Sequence, residues 1–157
     1  MAKKAVKNRN KLRKPKDQPW SNRPQPRKRA ATEPKARARV EKLDRTHDTA
    51  MAVAHAGLDK KAEDVTLLDV RGLASYADYF VVMTADSERQ ASAIADHIDD
   101  ALSDAGRTKV GIEGQTTGRW ILLDYGDVVA HIFSRDARDF YDLEGLWADA
   151  KRTAVAS

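Results

Sequence analysis

The side chains able to do chemistry in this chain are four histidines and a large stock of carboxylates and cations; there is no cysteine. Without cysteine there are no thiolate metal sites, iron–sulfur clusters, disulfide scaffolds or cysteine nucleophiles. His47, His55, His97 and His131 form no HExxH, and no two of them make a helical metal-binding pair with a carboxylate. His131 stands alone in an apolar run, where a packed or partner-facing ring is expected. Two-metal phosphoryl chemistry needs at least two carboxylates aligned on one strand face. No Asp-x-Asp occurs. Asp86-x-Glu88 falls at a helix start, where acids meet free backbone N–H groups. Asp142-x-Glu144 falls in an irregular segment, and Asp124 and Asp127 flank a turn. There is no Walker loop or GxSxG elbow. Gly111, Gly114 and Gly118 are spaced too widely for GxGxxG and read as a flexible loop. No enzyme activity, metal, cofactor or small-molecule substrate is expected. What remains is recognition.

Recognition is divided between two blocks of opposite charge. Residues 1–45 carry 17 Lys+Arg against 4 Asp+Glu, and residues 46–157 carry 11 against 20. All 5 prolines lie in the first block and all 8 glycines in the second. The first block has few large apolar residues and no period, so it cannot bury enough surface to offset the entropy of ordering. A disordered tail over 1–45 is expected. Its phosphate-binding candidates are Lys3-Lys4, then Lys11, Arg13, Lys14 and Lys16, then Arg27, Lys28 and Arg29, and the alternating Lys35, Arg37 and Arg39. Trp20 could stack on a base.

The second block must position any partner surface. Thr46 or Asp48 is placed to cap a helix whose face is Ala50, Val53, Ala54, Gly57 and Leu58. Residues 64–70 read as a strand, and 79–84 as a second, continuous enough in apolar residues to be covered on both faces. Ser87 with Gln90 gives a capping box, followed by Ala91, Ile94, Ala95, Ile98, Leu102 and Ala105 at helical spacing, with Gly106 ending the helix. Asp96, Asp99, Asp100 and Asp104 lie off that stripe and read as a solvated face. Residues 110–113 make a short edge strand. A hairpin then runs through Trp120–Asp124 and Asp127–Phe133, with Gly126 in the turn. Alternation puts Trp120, Leu122 and Asp124 on one face and Ile121 and Leu123 on the other. The aromatics of 138–147 can pack back on the core. The order argues an α/β (α+β sandwich) domain around a mixed sheet over 46–150, with 151–157 as a short tail.

No apolar run approaches the roughly 18 residues of a membrane span. No apolar h-region follows the N-terminus, and Ser21 is the sole serine of a tail that a transit peptide would enrich in serine. A soluble bacterial cytoplasmic protein is expected, with an organellar location as the alternative. A domain of net negative charge would favour basic protein partners. Trp120, if Ile121 and Leu123 face the core, is the exposed anchor.

Several stretches resemble the ribosomal silencing factor (Iojap-like) family: Leu68–Leu73, Tyr76–Val82, Gly118–Val129, His131–Phe133 and the closing Tyr141-x-Leu143-Glu144-x-Leu146-Trp147. The resemblance covers about residues 46–150. It implies a nucleotidyltransferase-like fold without that activity, and binding to the large ribosomal subunit at ribosomal protein uL14, on the face that meets the small subunit. Occupying that face would repress translation by blocking subunit joining, notably in starvation or stationary phase. A role in large-subunit assembly is the alternative, and a homodimer is left open. Carried onto this sequence, Trp120, Leu122 and Tyr125 match the apolar part of the uL14 contact. Asp124 and Asp127 supply negative charge, and His131 borders the patch. Asp78 also fits the pattern, as a contact or as a brace for the strand after it. Trp120 and Tyr125 fall on opposite faces of a regular strand, so both fit one contact only if the strand turns. The tail is longer than the family domain requires, and it is expected to reach nearby rRNA.

Overall fold

Apolar continuity at 79–85 decides the architecture. In the computed structural model, which describes residues 33–156, strand β2 (Tyr79–Ala85) is buried at every position. Such a strand needs a layer on each side. The elements supplying them are α1 (Glu33–Asp59), β1 (Glu63–Asp69), α2 (Glu88–Asp104), β3 (Gly111–Glu113), β4 (Trp120–Asp124), β5 (Val128–Ser134), α3 (Arg135–Tyr141), α4 (Leu143–Leu146) and β6 (Lys151–Ala154). The six strands form one mixed sheet in the order β3-β4-β5-β2-β1-β6. Only β2 and β5 run parallel; every other neighbouring pair is antiparallel.

The first face is covered by α1 and α2. Ala50, Val53, Ala54, Ile94, Ile98 and Leu102 pack on Val81, Met83, Ile121, Leu123 and Ile132. Small residues let α1 approach closely: a Cβ at Gly57 would sit 2.6 Å from the Met83 sulfur. The predicted box at α2 forms, with Ser87 Oγ accepting from the Gln90 N–H at 3.0 Å, and Gln90 Oε1 accepting from the Asp86 N–H at 2.6 Å. Gly106, at φ +79, ends the helix in a Schellman turn, its N–H on Ser103 and that of Arg107 on Leu102. The second face carries Leu68, Phe80, Val82, Leu122 and Phe133. It is covered by Ala137, Leu143 and Trp147 of the α3–α4 segment.

Three features differ from the sequence reading. Among the described residues the first helix spans Glu33–Asp59, so the boundary expected at residue 45 falls inside it. Pro34 is tolerated there because the first turn has no intrahelical use for its missing N–H. Thr46 is consequently not a cap but a mid-helix residue whose hydroxyl donates to the Lys42 carbonyl. Next, the stretch read as a tail after residue 150 supplies β6, which pairs antiparallel with β1 and satisfies its outer backbone groups. Finally, the expected flexible loop of Gly111, Gly114 and Gly118 is not one: Gly111 opens β3 in open space, and the other two are tightly held. Gly114, at φ +84, lies so close to the Trp120 carbonyl that any Cβ would overlap it, and Gly118, at φ +68, abuts Glu88. The basic clusters containing Lys11, Arg13, Lys14, Lys16, Arg27, Lys28 and Arg29 lie outside the described residues.

Candidate partner-binding surface

The β4–β5 hairpin carries the side chains singled out in the sequence, and its pleat separates them. Trp120, Leu122 and Asp124 point to the second face, opposite Phe133, His131 and Val129 of β5. Leu122 is only 3 % exposed and His131 fully buried, because α3 and α4 roof that face. Neither reaches the surface where a partner could touch it. His131 instead sits edge-on to Phe80 (5.0 Å between ring centroids) and stacks parallel to Phe133 (6.1 Å). The Trp120 indole N–H donates to His131 Nδ1 at 3.1 Å. An indole nitrogen can only donate, so Nδ1 must be the acceptor and the imidazole neutral, with its proton on Nε2. Burial holds the ring in that state, pushing its pKa down to about 3. His131 is therefore a fixed acceptor that sets the angle of Trp120.

Trp120 itself is half-buried and begins an aromatic ridge. Its ring lies 4.9 Å from Phe133 below and 4.6 Å from Tyr141 beside it. Tyr141 in turn meets Phe140 edge-on at 5.1 Å, and Phe140 is 78 % exposed. The ridge thus climbs from the core to open solvent in three rings. Phe140 was read in the sequence only as a ring to pack back on the core. Two adjacent aromatics on one short helix cannot both turn inward, and that was the available signal. The helix that carries them starts directly after β5, capped by Ser134 Oγ accepting from the Ala137 N–H. Arg138 locks it down: Nε and Nη2 donate to the Glu144 carboxylate at 3.0 and 3.1 Å, while Nη1 donates to the Asp64 carbonyl and Thr84 Oγ1, both at 2.8 Å.

The other expected contacts lie at the far end of β4, four residues or about 14 Å along the strand. Asp124 Oδ1 accepts the Gly126 N–H at 2.8 Å and braces the turn. Tyr125 leaves the second face and packs with the α1–α2 core, its hydroxyl donating to Asp99 at 3.3 Å. Burial, and then the Asp99 charge, push its phenol well above the usual range. The Asp127 carbonyl accepts from the Asp78 N–H (2.7 Å) and Tyr79 N–H (3.2 Å), and its carboxylate pairs with Lys42 at 3.3 Å. Asp78 is accordingly built into the sheet end, and burial together with Asp127 raises its pKa. Trp120 and Tyr125 lie on opposite faces, and the six hairpin residues do not make one continuous patch. The three rings do. Among the described residues, no three His, Asp or Glu side chains come together as a metal site. None of the described helices is long and apolar enough to cross a membrane.

Comparison with known proteins agrees with the resemblance. Residues 43–157 match the family model described as ribosomal silencing factor during starvation. The chain is 45 % identical over 92 residues to the ribosomal silencing factor of Bacillus subtilis, covering 59 % of this chain and 78 % of that one. It is 37 % identical over 101 residues to the chloroplastic protein Iojap of Zea mays, covering 64 % of this chain and 44 % of that longer one. A crystal structure of a Chromobacterium violaceum protein superposes with a TM-score of 0.65 at 36 % identity, over 71 % of this chain and 93 % of that one.

Proposed function

The chain belongs to the ribosomal silencing factor family, and from that membership we propose that it binds the large ribosomal subunit at ribosomal protein uL14 and blocks joining of the small subunit. The mechanism is steric and noncatalytic: one surface is occupied that the small subunit also needs. The observation that carries the reading is the ridge of Trp120, Tyr141 and Phe140, ending in a ring 78 % exposed. Exposed aromatics on a rigid support are the usual anchors of a protein interface. The support here is a sheet strand and a helix pinned by Arg138 and Glu144. Asp136 and Asp139, exposed on the same helix, supply charge toward a basic partner. In this reading the contact centres on Trp120 and its α3 neighbours, with Leu122 and His131 acting from beneath. Asp124, Tyr125 and Asp127 form a second edge of the domain. The proposed setting is the bacterial cytoplasm, with the basic N-terminal residues adding contacts to rRNA.

The test is binding of the full chain to purified large subunits, comparing Trp120→Ala and Phe140→Ala. Truncating a central anchor should cost about 2 kcal/mol or more, a loss of roughly 30-fold in affinity. Phe140→Ala has no core contact to lose, so it separates binding from folding. Native affinity in a folded Phe140→Ala variant would remove the ridge from the interface.

A further inference from the structure

The end of the domain from which α1 emerges is built differently from the aromatic ridge. Residues 34–42 of α1 are all exposed, so its first turns stand clear of the sheet. They carry Lys35, Arg37, Arg39 and Lys42, and Arg45 follows, also exposed. Two open clefts flank the root of this helix. One, of about 700 Å³, is lined by Arg39 and Lys42 of α1, Arg71 of the β1–β2 loop and Lys151 of β6. The other, of about 330 Å³, is lined by Lys42, Arg45 and Arg107, with Thr108 and Tyr125. Lys42 lines both, so the clefts adjoin across one helix.

Three acids line the first cleft: Asp69, Asp78 and the exposed Asp149. Asp69 accepts from Nε and Nη2 of Arg71. Asp127, which lines the second cleft, is paired with Lys42, and burial raises the pKa of Asp78. Arg39, Arg45 and Lys151 form no ion pair among the described residues. Residues 1–32, joined to this same end, add 12 Lys+Arg against 1 acid.

We propose that Arg39, Arg45, Arg107 and Lys151, around the root of α1, bind the phosphodiester backbone of RNA and continue into the folded domain the track begun by the N-terminal residues. The cations come from α1, the turn after α2 and β6, and line open clefts, as a backbone running across the helix requires. Recognition is of phosphate, without sequence specificity. The proposal rests on the ribosomal reading only for where the RNA comes from. It concerns an end of the domain remote from Trp120.

The experiment uses the full chain and a fluorescent oligouridine, with anisotropy followed through a salt series. Each phosphate contact to a single strand contributes about 0.7 to the slope of log affinity against log salt. R39Q/R45Q/R107Q/K151Q should therefore lower the slope by about 3 while leaving the thermal unfolding midpoint near native. The charge-conserving R39K/R45K/R107K should keep the native slope. An unchanged slope in the Gln variant would overturn the proposal and leave all binding to residues 1–32. A poly-glutamate that displaces the RNA at equal charge concentration would overturn it in favour of an acidic protein partner. Subunit joining is a separate readout: Phe140→Ala should weaken the block at native RNA slope, so failure of either idea is seen without the other.

Discussion

Replacing His131 with leucine should flatten the acid limb of the stability curve. In the folded chain the imidazole is fully buried with a pKa near 3, whereas it titrates near 6.5 once unfolded. Below pH 6.5 the unfolded chain therefore takes a proton that the folded chain refuses. The stability contributed by the neutral ring is complete above 6.5 and is lost as pH falls toward 3. The slope is about 1.4 kcal/mol per pH unit for one proton, so the drop from pH 6.5 to 4.5 should cost about 2 to 3 kcal/mol. Against a total of roughly 5–15 kcal/mol that is a large fraction. The window isolates His131 well. Asp69, held below the ordinary carboxylate range by Arg71, loses its stabilisation only at lower pH, and the raised pKa of Asp78 acts in the opposite direction. Leucine fills a similar volume and removes the acceptor of Trp120, a loss of about 1 kcal/mol that does not depend on pH. Urea unfolding of native chain and variant at both pH values reads the difference. If both lose the same stability on acidification, the ring is not buried and neutral, and the account of Trp120 orientation fails with it.

Other consequences are as direct. Arg138→Met strands the Glu144 carboxylate beneath α3 and should cost about 3–5 kcal/mol, seen as a fall in the urea midpoint. Gly114→Ala forces a Cβ onto the Trp120 carbonyl at φ +84 and should destabilise by well over 1 kcal/mol. Gly72→Ala, at φ +78 in open space, should lose only the smaller backbone cost of about 1 kcal/mol in the same assay. Phe140→Ala should leave the unfolding midpoint within about 0.5 kcal/mol of native while weakening large-subunit binding at least tenfold.

Where the sequence had a period, it specified the fold. The stripe from Ala91 to Leu102, its Ser87–Gln90 box and the continuous run at 79–84 all appear as read, because the faces they imply are buried, while Ala105, the last residue of the expected stripe, is the exposed C-cap. The start of α1 had no such signal: a solvated Lys/Arg/Ala helix has no apolar stripe. β6 was equally silent, since all four residues are exposed and its role comes from the backbone of β1. Strand alternation placed Trp120 and Tyr125 on opposite faces, and they are. It could not show that α3 and α4 fold over the Trp120 face, burying Leu122 and His131 and bringing Tyr141 and Phe140 alongside. That information lies in how a later segment packs, which no local pattern encodes.

The proposed function has this chain keep the ribosomal subunits apart by occupying one face of the large one. The direct measurement is light scattering as small subunits are added to purified large subunits preincubated with the full chain. The native chain should suppress the scattering rise, and Phe140→Ala at equal concentration should suppress it less. A rise unaffected by saturating native chain would contradict it.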